Sequence, residues 1–509
     1  MSQESRVLHK IARGAGIVFL GTVISMFFGF ISRMIIVRYF TVSEFGLYSL
    51  TLTVINIVLV LVSLGFYDGV SREIAFYKEK EPSKVNEIAS TSIFIIFLSS
   101  ITFFILTFFG SDAIAQLLNQ EELSTFIKIM AFVIPFSAMN GLIISFSRGF
   151  GRVKEQVYFG NIFSPILWLI FITLLAVLSL PFMSVFYAYL LVQILLSLVL
   201  FFYIYRLNLF EIKFPPNFKL GKELISFSLP LLITSILGFI MNWTDTLMLG
   251  YYKSAALVGL YNAAAPLARL ISIFLGSIGF LYIPIASQLY AKGKIKEMGR
   301  NYQILTKWIF LLTLPIFSIM FLFPEAVISF IYGSKYVAAS QVLRILASTA
   351  MFHIFLGLNG MSLVILKESK FIVFASLISA ILNVVLNIML IPPYGIFGAA
   401  IASLGAYVIG NSLSSLRLYQ TTGIHPFSLN YVKPLAISFV LLGTIQILDL
   451  KIFNIWYVVP ILAVFLLVYF FLVLLSKSVD KEDIELFLVV EKKLGVDLKI
   501  IKKILKRFV

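Results

Sequence analysis

The feature that most constrains this chain is a succession of long, unbroken apolar runs. The runs begin near Ile17, Gly46, Ile88, Ile127, Val157, Val185, Leu224, Leu257, Trp308, Leu343, Phe371, Ile396, Leu435 and Val458. An apolar helix of about 20 residues crosses the roughly 30 Å hydrocarbon layer of a membrane, whereas membrane strands appear as short alternating segments. Lipid offers the backbone no hydrogen-bond partners, so the runs predict an all-α membrane protein with about 14 transmembrane helices. Composition agrees, because 60% of the residues are hydrophobic and only 13% are charged.

Basic residues predict how these helices are oriented. One alternate set of loops holds Arg6, Lys10, Arg13, Arg72, Lys78, Lys80, Lys84, Arg148, Arg152, Lys154, Arg206, Lys213, Lys219, Lys222, Lys292, Lys294, Lys296, Arg300, Lys367, Lys370, Arg417 and Lys433. The other set offers little beyond Lys253, Lys335 and Lys451. Because basic loops stay on the cytoplasmic side, we expect a multi-pass protein of the cell membrane with both termini in the cytoplasm. The same bias accounts for the net charge of +16, so no nucleic-acid partner is expected.

Several kinds of chemistry are excluded or unsupported by the sequence. There is no cysteine, which excludes disulfides, thiolate zinc sites and cysteine catalysis. No GxxxxGK[ST] motif is present and only three histidines occur, so neither a nucleotide motor nor a histidine-rich metal site is encoded. We therefore expect no cofactor and no metal. The first apolar run lacks a small-residue cleavage site, and we interpret it as a retained helix.

The chain also repeats itself. "SEFGLYSLT" at 43–51 corresponds to "AALVGLYNA" at 255–263, with Gly-Leu-Tyr 213 residues apart. At nearly the same offset, "LGFYDG" (64–69) matches "IGFLYI" (278–283), "GSDAIAQLL" (110–118) matches "FPEAVISFI" (323–331), and "LPFMSVFYAYL" (180–190) matches "PPYGIFGAAIA" (392–402). Four matches in order predict two parallel six-helix lobes with a transport cavity between them.

The predicted organisation follows from this duplication. It comprises a cytoplasmic N-terminal segment (1–13), an N-lobe (14–206), a cytoplasmic linker (207–222), a C-lobe (223–420), two further helices (431–476) and a cytoplasmic amphipathic tail (477–509). The tail begins acidic and ends basic, which suits either a helix on the anionic inner leaflet or a solvated cover over the bundle.

Small and polar residues share single faces of four predicted helices. By helical periodicity these stripes are Thr22, Ser25, Gly29, Ser32 and Arg33 on the first helix, Ser49, Thr53, Asn56 and Ser63 on the second, Ser235, Gly238, Asn242 and Asp245 on the seventh, and Asn262, Pro266, Arg269, Ser272 and Gly276 on the eighth. The duplication places Arg33 and Asp245 at similar depth in the outer third of the membrane. A lipid-facing Arg or Asp near the bilayer centre costs about 2.5 to 3.5 kcal/mol, a penalty that a wet cavity removes.

Structural explanations of these residues remain open at this point. Gly and Ser stripes also allow helices to pack closely without any site. Arg33 and Asp245 could form a structural ion pair linked to gating, and Arg38, beside Tyr39, suits snorkelling to the headgroups. Asp68 and Arg72 at the inner end of the second helix suit a boundary ion pair.

Several stretches resemble a known family. "SEFGLYSL", "SLGFYDGVSREIA", "DTLMLGYYKSAALVGLYNAAAPLARL" and "PPYGIFGAAIA" are similar to the polysaccharide-transporter branch of the multidrug/oligosaccharidyl-lipid/polysaccharide (MOP) exporter superfamily, over nearly the whole chain to about Ser476. The resemblance implies the fold of multidrug and toxin extrusion proteins. It also implies a flippase, not an enzyme, that turns a polyprenyl phosphate- or pyrophosphate-linked oligosaccharide from the cytoplasmic to the outer face.

The resemblance also implies a site. Related lipid II flippases have a cationic cavity with arginines on the first, second and eighth helices, which Arg33 and Arg269 match by helix. The second helix departs from this pattern, with Asn56 at cavity depth and Arg72 only at its inner end. An anionic headgroup suits paired guanidinium donors. The sugars need hydroxyl, amide and aromatic partners.

We therefore predict distinct roles for the stripe residues. The predicted substrate-binding residues are Arg33, Arg269, Asn56, Asn242, Asn262 and Tyr261. Asp245 is predicted to compete for Arg33 when the outer end closes during rocking of the two lobes. Expected partners are the lipid-linked glycan, membrane lipids and glycan-assembly enzymes, and the chain is expected to act as a monomer.

Two other functions compete with this prediction. A cation-coupled multidrug or metabolite exporter shares the fold but needs membrane carboxylates, and Asp245 is the only well-embedded acid. A membrane glycosyltransferase or polymerase needs extended outer loops, yet the largest lies around Asp112 to Glu122.

Overall fold

The chain is helical in its computed structural model, which describes residues 3–211, 215–448, 452–478 and 480 and leaves out the side chains of 3–15, 19, 280 and 281. No strand occurs among these residues, so the predicted all-α fold is confirmed. The chain forms two compact units, Met1–Gly259 and Leu260–Val509. The predicted amphipathic tail lies outside the described residues except for Lys477, Ser478 and Asp480.

The first unit contains nine complete α-helices. They are α1 (Gln3–Tyr39), α2 (Val42–Ser63), α3 (Phe66–Lys80), α4 (Pro82–Leu117), α5 (Leu123–Ala131), α6 (Val133–Gly149), α7 (Ser164–Val177), α8 (Ser184–Leu207) and α9 (Phe218–Tyr252), with a π-helix at Gln156–Phe163 before α7. Helix α9 belongs to this unit because it packs against α2, α3 and α4. This division follows packing, whereas the predicted lobes follow sequence duplication, so the lobe boundaries stay a prediction.

The tenth helix begins in the last residues of the first unit, and the rest of the chain forms the second. The helices are α10 (Ala255–Leu270), α11 (Ile273–Ala291), α12 (Ile295–Leu322), α13 (Pro324–Tyr332), α14 (Ser340–Leu356), α15 (Asn359–Ile365), α16 (Ser369–Tyr394), α17 (Ile396–Thr422), α18 (Leu429–Ile447) and α19 (Ile455–Leu475), with a 3₁₀ helix at Ser334–Ala339.

Among the described residues, 12 helical segments are long and apolar enough to cross a membrane, or up to 14 if two bent helix pairs each form one crossing. Each of the predicted apolar runs begins inside one of them. The bent pairs are α5–α6, with 45° between them, and α10 with the first part of α11, with 40°. Pro135 explains the first bend, because it has no N–H to bond the carbonyl of Ala131, the last residue of α5.

Local signals fix the ends of the helices that carry the site. Thr41 and Glu44 form a reciprocal capping box at the start of α2: the Thr41 N–H donates to Glu44 Oε2 at 2.8 Å and the Glu44 N–H donates to Thr41 Oγ1 at 3.2 Å. Asn217 caps α9, since its Oδ1 accepts from the Leu220 N–H at 3.1 Å. Both helices therefore begin at a defined residue.

The inner end of the predicted second helix differs from the prediction. That helix breaks at Leu64 and Gly65, both in the left-handed region with φ of 48° and 73°, so Asp68 and Arg72 lie on the separate helix α3. The predicted ion pair between them is wrong. Asp68 pairs with Arg148 of α6 at 3.2 Å, and Arg72 pairs with Glu73 at 3.3 Å.

Candidate functional site

The polar face of α1 carries Arg33 near the C-terminal end of the helix. Ser32 is buried and donates to the Phe28 carbonyl of its own helix at 2.9 Å. Nearer the start of α1, Thr22 Oγ1 accepts a hydrogen bond from Asn161 Nδ2 of the π-helix at 3.3 Å. Arg33 is half-buried, and its charge acts on the hydroxyl of Tyr48 on α2. The first predicted guanidinium thus lies within the protein fold, on the face that the periodicity indicated.

An aromatic cluster surrounds Tyr48, and the sequence reasoning missed it. The Tyr48 ring stacks on Trp168 with centroids 6.5 Å apart and an interplanar angle of 8°. Tyr189 contacts the same indole edge-on at 5.4 Å. Tyr48 is the tyrosine of the first Gly-Leu-Tyr motif, so the repeated motif was the feature of the sequence that could have identified this residue. The cluster fixes the surroundings of Arg33 with rigid side chains.

Helix α9 presents the other predicted polar face of the first unit. Ser235, Gly238 and Asn242 are exposed along it, and Asn242 Nδ2 donates to the Gly238 carbonyl at 2.8 Å. Near the C-terminal end of α9, Asp245 is buried, with 7% of its surface exposed. The helix therefore has an accessible amide and a buried carboxylate on one stripe.

Glycines on the predicted stripes lie beside open space. At Gly29 on α1, Gly238 on α9 and Gly276 on α11, a methyl group in place of the hydrogen would meet no described atom within 4 Å. Close helix packing would instead leave no room for a Cβ. Within its own unit, none of these three glycines therefore makes a close helix contact among the described residues.

The glycines of the two Gly-Leu-Tyr motifs, Gly46 and Gly259, differ from these stripe glycines because their backbones are in close contact. A Cβ on Gly46 would lie 1.7 Å from the Ala255 carbonyl oxygen, and a Cβ on Gly259 would lie 2.2 Å from the Val42 carbonyl oxygen. Each would also approach the other glycine's nitrogen, at 3.0 and 3.1 Å. The start of α10 is thus pressed against α2 within the first unit.

Two more hydrogen bonds hold the C-terminal end of α9 to the same unit. Asn119 Nδ2 donates to the Tyr251 carbonyl at 2.9 Å, and Gln120 Nε2 donates to the Lys253 carbonyl at 3.2 Å. At the predicted outer end, α2, the α4–α5 connection, α9 and the start of α10 form one packed cluster. We call these contacts, together with the Gly46–Gly259 contact, the outer contact.

The remaining predicted residues divide between the units. Asn56 is half-buried on α2 in the first unit. In the second unit Tyr261 and Asn262 are buried on α10, with 4% and 8% exposed, while Arg269 is exposed directly before the bend into α11. Arg33, Asn56, Asn242 and Asp245 thus lie in one unit and Tyr261, Asn262 and Arg269 in the other, so their shared site stays a prediction.

The second unit also contains an apolar cavity of about 570 Å³ between α12, α14, α17 and α18. Phe310, Phe317, Phe352 and Leu442 are among its lining residues. A cavity of this size and lining suits hydrocarbon more than a charged group.

Comparisons with known proteins identify relatives. Residues 11–290 match the family described as polysaccharide biosynthesis protein, and residues 230–389 match the MatE family. A Haloferax volcanii protein named as a low-salt glycan biosynthesis flippase is 27% identical over 41% of this chain and 44% of its own length. The chain therefore spans less than half of that relative. A Shigella flexneri protein named as an O-antigen transporter is 23% identical over 70% of this chain and 85% of its own length.

The fold also matches a solved structure. The lipid II flippase MurJ, in an inward closed conformation, superposes with a TM-score of 0.72 over 94% of this chain and 99% of the other, at 18% identity. At that identity the likeness concerns the fold.

Proposed function

The chain belongs to the polysaccharide biosynthesis protein family of the MOP exporter superfamily, and from that premise we propose that it flips a polyprenyl phosphate- or pyrophosphate-linked oligosaccharide between leaflets. Transport runs from the cytoplasmic to the outer leaflet of the cell membrane, with both termini in the cytoplasm. The product serves polysaccharide or glycan export. The names of the Haloferax and Shigella relatives support this substrate class.

The observation that carries the proposal is the setting of Arg33. A guanidinium on a membrane helix is costly unless it faces water or a partner. Arg33 is half-buried beside Tyr48, on a face whose Gly29 borders open space within the described residues. Such a position suits a fixed cation that meets a mobile anion.

The other predicted residues take complementary roles in this proposal. Arg33 and Arg269 bind the phosphate or pyrophosphate, because a guanidinium offers paired donors to phosphate oxygens. The amides of Asn56, Asn242 and Asn262, with the Tyr261 hydroxyl, bind sugar hydroxyls. The polyprenyl chain stays in hydrocarbon, for which the apolar cavity of the second unit is suited.

Movement follows an alternating-access scheme. The two predicted lobes rock, and the outer contact closes the outer end in one state. Asp245, buried on α9, competes with the substrate for Arg33 in that closed state and so promotes release. We propose that the chain acts as a monomer and receives substrate from glycan-assembly enzymes.

Reconstitution tests the proposal directly. Purified protein in vesicles is given a fluorescent lipid-linked oligosaccharide, and the rate of appearance in the opposite leaflet is measured. Arg33→Gln and Arg269→Gln should each slow flipping about ten- to a hundredfold, the equivalent of losing roughly 1.5 to 3 kcal/mol of charge-assisted hydrogen bonding.

Arg38→Gln is the matched control, since Arg38 lies on the same helix and is exposed. It should flip substrate at close to the normal rate. Unchanged flipping in both the Arg33 and the Arg269 variants would refute the assignment.

A cation-coupled exporter of drugs or metabolites is the second candidate. The match of residues 230–389 to the MatE family supports it. In that case Asp245 is the cation ligand, and Asp245→Asn should abolish gradient-driven efflux of a drug. Vesicles that flip the glycan lipid but move no drug under a proton or sodium gradient would exclude this alternative.

A further inference from the structure

A small polar cleft lies at the predicted cytoplasmic end of the second unit, and the proposed flipping mechanism does not use it. It has a volume of about 240 Å³ and lies between the first turns of α12 and the connection from α17 to α18. Lys296, Arg300 and Gln303 line it from α12. Thr422 lines it from the last residue of α17, and His425 lines it from the connection. The three α12 residues are spaced by four and three positions, so they share one face of that helix.

The walls of this cleft are fixed by packing. Gln303 Nε2 donates to the His425 carbonyl at 3.2 Å, which ties the connection to α12. Ile424 is buried, and a Cβ on Gly299 would lie only 3.3 Å from its Cγ1. The connection turns at Gly423 with φ of 71°, a conformation that glycine adopts without strain. The cleft is therefore built into the fold.

The described lining of the cleft holds two basic side chains, Lys296 and Arg300, and no acidic one. Arg300 pairs with the buried Asp480 at 2.9 Å, and Lys307 pairs with the same carboxylate. Lys296 adds a further positive charge and makes no ion pair among the described residues.

The first residues of α12 also favour an anion. Lys294 and Glu297 pair with each other at 2.7 Å and balance. The positive end of the α12 helix dipole lies at the cleft, because the cleft includes the first residues of that helix. An anion would therefore be favoured in the cleft over a neutral or cationic ligand.

His425 supplies a separate sign that something binds here. Its Nδ1 is buried and has no hydrogen-bond partner among the described residues. The ring is held by aromatic contacts, with centroids 6.0 Å from Tyr419 and 6.5 Å from Phe427. A buried polar atom without a partner is unfavourable, so native proteins usually supply one.

We propose that this cleft binds a phosphate-bearing anion, with Lys296 and Arg300 as the cationic contacts and His425 as a hydrogen-bond partner. A phosphate group offers several acceptor oxygens to these donors. The cleft is smaller than typical drug-sized pockets of about 300 to 1,000 Å³, which suits a single headgroup or a free phosphate. The glycan substrate is not required, so the site can exist whether or not the chain is a flippase.

Binding to the purified full chain tests the proposal. One arm adds inorganic phosphate to protein in neutral detergent, and a second adds phosphatidylglycerol, with phosphatidylcholine as the uncharged reference. Ligand binding is read from retained mass in native mass spectrometry and from the rise in unfolding temperature, since a ligand of the folded state stabilises it. Lys296→Gln and His425→Phe should each weaken binding about tenfold, and the phenyl ring of the latter keeps the aromatic packing.

Lys292→Gln is the matched control, because Lys292 is an exposed lysine at the end of α11 that does not line the cleft. Lys292→Gln should bind inorganic phosphate or phosphatidylglycerol with the affinity of the unsubstituted protein. Binding of inorganic phosphate identifies a site for free phosphate, whereas binding of phosphatidylglycerol without phosphate identifies a lipid-headgroup site. The proposal is overturned if neither probe binds, if phosphatidylcholine binds equally well, or if Lys292→Gln loses as much binding as Lys296→Gln.

Discussion

The contact between the two Gly-Leu-Tyr glycines should not tolerate a single methyl group. In Gly46→Ala the new Cβ would lie 1.7 Å from the Ala255 oxygen and 2.6 Å from its carbonyl carbon, whereas real Cβ contacts essentially never fall below 3.0 Å. Both neighbouring atoms are backbone, so no change of rotamer can relieve the overlap. The start of α10 must move away from α2.

The cost of this movement sets the expected size of the effect. Overpacking of a tight contact costs about 1 to 3 kcal/mol. If the outer contact forms in only one transport state, as proposed above, that cost shifts the population toward the other state about 5- to 150-fold. Gly259→Ala should act in the same direction, since its Cβ would lie 2.2 Å from the Val42 oxygen.

Cysteine labelling measures the shift. The chain has no cysteine of its own, so Ser49→Cys, at a buried position on α2 one turn from Gly46, introduces a unique probe. Labelling by a membrane-impermeant maleimide from the outer side should become at least about fivefold faster in the Gly46→Ala background. Gly110→Ala on α4 is the control, because no described atom lies within 4 Å of its added Cβ. Equal labelling rates and equal stability in all three proteins would refute the reasoning.

Two further predictions concern stability. Burial raises the pKa of Asp480, but hydrogen bonds from Lys307 and Asn430 outweigh it and hold that pKa below its ordinary value. Its stabilisation is therefore present above the unfolded pKa of about 3.9 and lost as pH falls through the lower folded value. Asp480→Asn should cost about 3 kcal/mol at pH 7 and less near pH 3; a pH-independent difference in thermal unfolding, or an equal loss in the exposed Glu297→Gln, would contradict this. Thr41→Ala should cost about 1 kcal/mol through loss of the α2 cap while Thr41→Ser restores most of it, and thermal unfolding that ranks serine with alanine would count against the cap.

The helical fold could be predicted because the length of an apolar run is a one-dimensional signal. Each predicted run begins inside one membrane-length helical segment. Helix breaks were less visible, because the turn at Leu64 and Gly65 interrupts the helix just beyond a run that is already long enough to cross a membrane. Consequently Asp68 was assigned a partner four residues away, while its actual partner, Arg148, is 80 residues away and is brought close only by the packing of α3 on α6.

The candidate site stays a prediction, and the sequence could address only its local part. Helical periodicity is local, and it predicts that Thr22, Gly29 and Arg33 share one face of α1, on which Gly29 borders open space within the described residues. The position of Tyr48 beside Trp168 depends on how the fold brings a side chain of α2 to one of α7, which no spacing within one helix reveals. Whether Arg33 and Arg269 serve one headgroup depends on geometry of the same long-range kind.

The outer contact adds a structural argument for the predicted duplication to the sequence matches that first indicated it. In an interface between two equivalent elements related by a two-fold axis, residue i contacts residue j and the equivalent of i contacts the equivalent of j. Gly46 would clash with Ala255, and Gly259 would clash with Val42; Gly46 and Gly259 are 213 residues apart, as are Val42 and Ala255. The contacts come from distances between backbone atoms, whereas the equivalence of the residues comes from the 213-residue offset of the motifs. The reciprocal pairing supports the predicted repeat and gives the glycines a physical role, because only residues without a Cβ allow the backbones of two equivalent helix starts to meet this closely.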